Sequence, residues 1–135
     1  MRKSIFCIFA LALLTLVGCE EKHESYYVLT LYGTVVDEAG EPIQGIHAYP
    51  EGGEFAGREG YTDYEGKFGG YTHVAPRNRW VIRFEDVDGE HNRGVYESLS
   101  VDITDKVTPP FKPDEWGYTG SCLVDIGTIV LKQTM

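Results

Sequence analysis

Between residues 28 and 131 apolar side chains recur at every second position in short runs, and this period of two constrains the fold more than any other feature. Leu29, Leu31, Gly33 and Val35 fall on one face of a run over 28–36, with Thr30, Tyr32 and Thr34 on the other. Trp80, Ile82 and Phe84 alternate with Arg79, Arg83 and Glu85 over 79–87. Leu99, Val101 and Ile103 alternate with Ser98, Ser100 and Asp102 over 96–103. Further runs cover 45–49, 60–63, 67–72 and 123–131, with Gly127 marking a bulge in the last. Turn signals at Ala39-Gly40, Gly52-Gly53, Glu65-Gly66, Asp88-Gly89 and Pro109-Pro110 separate them, and no window has helical periodicity. The pattern predicts an all-β chain, a seven-stranded Greek-key β-sandwich over 28–135.

The N-terminus is of another kind. Arg2 and Lys3 precede an apolar run from Ile5 to Val17, broken only by Thr15. A membrane-spanning helix needs roughly 20 such residues, so residues 1–18 read as a cleaved signal peptide. The run ends Leu16-Val17-Gly18-Cys19, which resembles the lipobox of bacterial lipoproteins. That resemblance implies a diacylglyceryl group on the Cys19 thiol, cleavage before it, and stable anchoring by several acyl chains. Residues 19–27 then read as the lipidated cysteine and a polar tether. Glu20 and Glu21 directly follow the anchor, and in such lipoproteins an acidic patch there implies the outer face of the outer membrane.

Cleavage would leave 117 of the 135 residues and remove Arg2 and Lys3 from the 12 basic ones, leaving 10 against 21 acidic, a balance of −11. So acidic a body argues against nucleic acid and against adhesion to anionic lipid, so membrane contact is expected through the anchor alone. Of the three cysteines, Cys7 leaves with the signal and Cys19 is acylated, so no intramolecular disulfide is available. Cys122, beside Leu123 and Val124, reads as a buried small hydrophobe and not as a reactive thiol.

Two segments carry a family resemblance. One is Gly33-Thr-Val-Val-Asp37-Glu-Ala-Gly40-Glu-Pro42-Ile43-Gln-Gly45-Ile46; the other is Thr62-Asp63-Tyr-Glu-Gly66-Lys-Phe68. Together they resemble the carboxypeptidase regulatory-like domain, a transthyretin-like sandwich. Their roles are mechanical: Asp37 to Gly40 turn tightly, Pro42 pre-sets the chain before Ile43 enters the core, and Gly45 permits a bend. Asp63 and Gly66 bracket a hairpin turn and Phe68 packs inward. The order of lipobox, this domain, Phe84 to Asn92, Tyr96 to Asp102 and an aromatic loop is similar to the radical SAM-associated lipoproteins of Gram-negative anaerobes. That resemblance implies an envelope partner, such as a radical peptide-modifying enzyme, and no chemistry in the lipoprotein itself.

Candidate sites are few. Asp86, Asp88 and Glu90, with His91 and Asn92, group oxygen ligands of the kind calcium takes, yet Gly89 is misplaced for an EF-hand loop and the segment reads as a solvated turn. Tyr118-Thr119-Gly120-Ser121 is similar to the Tyr-Arg-Gly-Ser motif of hydroxyisourate hydrolases, but Thr119 replaces the arginine that would hold substrate. His23, His47, His73 and His91 lack ligand spacing, and there is no nucleophile elbow or phosphate loop. No enzyme, metal or cofactor is expected. The long loop over 104–116 holds Pro109, Pro110 and Pro113 with Phe111 and Trp116, and Tyr118 follows. These aromatics either cap the open end of the sandwich or form a contact surface. Two functions stay open: a non-catalytic accessory module for an envelope protein partner, or a surface lipoprotein that binds glycan through the aromatic loop.

Overall fold

The computed structural model describes residues 23–53, 60–91 and 94–134. The expected signal peptide, Cys19, Glu20, Glu21 and Asn92 lie outside these residues. The described chain is all-β. Its strands are β1 (Tyr26–Val36), β2 (Ile46–Pro50), β3 (Lys67–Val74), β4 (Val81–Asp86), β5 (Leu99–Asp102) and β6 (Tyr118–Val130), with a single 3-10 turn at Thr104–Lys106. They form two three-stranded sheets, ordered β3-β1-β6 and β2-β4-β5.

One core joins the sheets. Tyr27, Leu29, Leu31 and Val35 of β1 point into it, as the alternation predicts, with Phe68, Val124 and Ile129 beside them. Ile46, Ala48, Ile82 and Phe84 come from the second sheet, and the Phe68 and Phe84 rings meet edge-on at 5.5 Å. Trp80 lies just before β4 and packs on Tyr27 at 4.9 Å. No side-chain nitrogen or oxygen buried among the described residues lacks a partner.

Several elements differ from expectation, each for a physical reason. β1 starts at Tyr26, so Tyr26 and Tyr27, which read as the end of the tether, belong to the sheet. Tyr27 has a fully buried ring whose hydroxyl donates to the Thr108 carbonyl at 2.7 Å. The expected hairpin over 60–72 is a crossing between sheets. Residues 67–74 pair with β1, whereas Tyr61 bridges to His47 of β2. Thr62 forces this division: its buried Oγ1 donates to the Ile43 carbonyl at 2.7 Å and accepts from the Ile46 amide at 2.9 Å, tying 60–63 to the start of β2. Six strands, and not seven, are therefore regular among the described residues.

Of the run over 96–103, Val101 in β5 and Ile103 just after it turn inward as expected. Leu99 is 37% exposed, because β5 is an edge strand with a neighbour on one side only. Cys122, expected as fully buried, is half-buried at the core margin, its Sγ donating to the Lys106 carbonyl at 3.5 Å. β6 runs parallel to β1 and starts at Tyr118, five residues before the apolar run indicates. Its register slips between Asp125 and Gly127, the bulge that Gly127 signals, with the Gly127 amide donating to Asp125 Oδ1 at 2.9 Å.

Candidate binding surface

The chain turns three times through the same five-residue device: Asp37–Glu41, Asp63–Lys67 and Asp114–Tyr118. In each, the aspartate amide donates to the fifth carbonyl, the glycine amide donates to the aspartate carbonyl, and the aspartate Oδ1 accepts from the third and fifth amides. All of these bonds lie between 2.8 and 3.2 Å. Each turn closes on a glycine of positive φ, at 84°, 74° and 87°. The first two belong to the family-like segments. The third, Asp114-Glu-Trp-Gly-Tyr118, ends what the sequence alone leaves as an irregular loop, although its Asp-x-x-Gly spacing repeats theirs.

This device decides where Trp116 goes. It is the third residue of the turn, as Ala39 and Glu65 are of theirs, and all three are exposed. Trp116 is 61% and Phe111 55% exposed, so neither caps the core. Trp116 touches the His23 ring at 5.2 Å. Phe111 meets Tyr118 edge-on at 5.6 Å, Tyr118 lies 5.9 Å from Tyr26, and Tyr26 stacks on His73 at 5.0 Å. The three candidates thus divide. Phe111 and Tyr118 join a row of rings that crosses three strand ends, and Trp116 stands at its margin with His23. Tyr26 and His73 are members of this row that the sequence did not single out, since only the β1–β3 and β1–β6 registers bring them together.

The support beneath the row is closely hydrogen-bonded. The Tyr26 amide donates to the Gly117 carbonyl at 2.8 Å. Thr119, buried, donates its hydroxyl to the Tyr26 carbonyl at 2.7 Å, and the Tyr118 hydroxyl donates to Ser121 Oγ at 3.0 Å. Thr119 therefore holds two strand ends together, a packing role where the hydrolase motif has a substrate-binding arginine. Below the loop, burial first and the neighbouring Cys122 second push the Tyr27 hydroxyl up to about 12. A phenol raised from 10 stays protonated in the folded chain while the unfolded one ionises. The contribution of Tyr27 to stability should be level below pH 10 and fall as pH rises through 10–12, by about 3 kcal/mol at ~1.4 kcal/mol per pKa unit. Tyr27→Phe should flatten that fall in chemical denaturation series run between pH 9 and 12.

The other candidates lie elsewhere. The Asp86 carboxylate accepts from the amides of Asp88 at 3.2 Å and Tyr96 at 3.0 Å, closing the β4 end. Burial, then the adjacent Asp88 carboxyl, push its pKa up. Glu90 and His91 point to solvent, and no three potential metal ligands converge among the described residues. His47 is stacked on Tyr61 at 4.4 Å, on the outer side of the second sheet. Among the described residues no helix is long and apolar enough to cross a membrane.

No protein-family model and no curated protein matches the chain.

Proposed function

We propose that the protein is a lipid-anchored cell-envelope lipoprotein whose β-sandwich is a non-catalytic interaction module. In this reading residues 1–18 are the cleaved signal and Cys19 carries the acyl chains in the outer membrane. The domain is a seven-stranded Greek-key sandwich of the transthyretin-like kind, with 60–63 as the short strand beside β2. Its partner is another envelope protein, and a radical SAM peptide-maturation system fits the resemblance in domain order.

The observation that carries the reading is Trp116, held exposed at the tip of a hydrogen-bonded turn beside the row of Phe111 and Tyr118. Exposed aromatics are the usual anchors of protein interfaces. The position also suits a tethered protein. Tyr26 is seven Cα steps from Cys19, a reach of at most ~25 Å, so this end of the sandwich stays near the membrane and its resident proteins.

Two measurements test it. Cys19→Ser should move the protein from the membrane to the soluble fraction; unchanged membrane association would refute the anchor. Trp116→Ala should reduce partner recovery, in co-purification from native membranes read by mass spectrometry, by about thirty-fold, the equivalent of ~2 kcal/mol. The same substitution should leave folding stability within about 0.5 kcal/mol, because the side chain is largely exposed. Partner recovery that survives the change would sink the assignment of this surface.

A further inference from the structure

The two sheets present opposite kinds of outer face. That of β2-β4-β5 is closed by its own polar pairs: Arg83 with Glu85, Arg79 with Asp102, and His47 stacked on Tyr61. That of β3-β1-β6 carries Tyr71, Thr30 and Leu123 in one row and Tyr32 between Gly69 and Asp125 in the next. Tyr32 is 43%, Tyr71 54% and Leu123 67% exposed. The charges on this face are Lys67, paired with Glu65 at 2.9 Å, and Asp125.

A cleft of about 390 Å³ opens in this face around Tyr32, Thr34, Lys67, Asp125 and Thr128. One feature of the backbone opens it. The β6 bulge turns Gly127 to a φ of 80°, leaving open space where a side chain would begin. Phe68 and Gly33 also line it, while the Phe68 ring itself is buried in the core against Phe84. One Asp125 oxygen holds the Gly127 amide. The other, together with the hydroxyls of Tyr32, Thr34 and Thr128, makes no hydrogen bond to the described residues.

The geometry points to this cleft as a binding site for a neutral carbohydrate. The exposed Tyr32 ring offers an apolar platform for a sugar ring, and a carboxylate oxygen with three hydroxyls offers acceptors and donors at its rim. The volume lies in the small-molecule range of ~300–1,000 Å³. Charge selects the ligand class: the one ammonium is already paired and the body is strongly acidic, so an anionic ligand is disfavoured. Position agrees. Tyr32 to Thr34 lie six to eight residues along β1 from Tyr26, or ~20–25 Å, so the cleft is at the end of the sandwich away from the anchor. The inference rests on reading the domain as a non-catalytic binding module, and Trp116-dependent partner capture tests that reading separately.

The test uses the full-length lipidated protein in a zwitterionic detergent free of sugar headgroups. The probes are dextran, a mixed-linkage β-glucan, xylan and mannan in affinity gel electrophoresis. At least one should retard the protein. Tyr32→Ala and Thr34→Val should each weaken that retardation tenfold or more. Thr34→Val removes one rim hydroxyl and keeps the β-branched shape on the strand. Unaltered far-UV spectra for both variants assign the loss to the cleft. Absence of retardation by all four polysaccharides would overturn the inference. So would retardation that both variants keep, or that only Trp116→Ala abolishes.

Discussion

Phe84→Ala is expected to destabilise the domain by about 3–5 kcal/mol, as phenylalanine truncations in packed cores do. Phe84 has no solvent exposure, and it sits on β4, the central strand of its sheet, opposite Ala48 and Leu99. Its ring meets Phe68 of the other sheet edge-on, so truncation opens a void at the junction of the two layers. Neighbours cannot collapse into it easily, because both flanking strands are held in register by their ladders. A domain of this size has a total stability of about 5–15 kcal/mol, so the variant should be close to unfolding at ambient temperature. Urea titration followed by far-UV circular dichroism reads this directly. A loss below about 1 kcal/mol would show that the sheets do not pack through this ring.

The second large effect separates two glycines with the same backbone. Gly66→Ala is expected to lose about 3 kcal/mol and Gly40→Ala about 1 kcal/mol. Both occupy the fourth position of an Asp-x-x-Gly turn, with φ of 74° and 84°. The intrinsic strain of a side chain at positive φ is therefore shared. The surroundings differ. A Cβ on Gly66 would lie 2.4 Å from the Val35 carbonyl oxygen and 3.1 Å from Pro42 Cβ, whereas Gly40 has nothing within 4 Å. The Val35 carbonyl cannot retreat freely, because it accepts from the Ile43 amide at 3.0 Å, and the Val35 amide donates to Gly66 itself at 2.7 Å. The collision is with backbone, so the strand must move. Thermal unfolding of the two variants side by side is the check, and equal losses would contradict this packing.

The candidate surface was partly legible. Phe111, Trp116 and Tyr118 stand out as aromatics in and after a proline-rich loop, and all three lie at one end of the first sheet. The turn that orients Trp116 was also present as Asp114-x-x-Gly117. The spacing already attached to Gly40 and Gly66 could have identified it. Tyr26 and His73 offered no such signal: 47 positions separate them in the sequence, and only the antiparallel register of β1 and β3 stacks them. The cleft is less legible still. It needs Tyr32, Lys67 and Gly127 close together, three residues from three strands, one of them silent because it has no side chain.

What the sequence by itself determined is the class of structure and the faces of the strongest strands. Leu29, Leu31, Val35, Ile82 and Phe84 are buried as their alternation requires, because a pleated strand sends successive side chains to opposite sides whatever its neighbours are. The tight turns follow for the same local reason, since Asp and Gly at fixed spacing satisfy their own amides. Which sheet each strand joins was decided only by the tertiary structure. A period of two assigns a face but names no partner, so 60–63 and 67–74 look like two arms of a hairpin until Thr62 binds one to β2 and β1 takes the other. Leu99 has the right parity for the core yet stays partly in solvent, because burial also needs a covering layer and β5 lies at the sheet's edge.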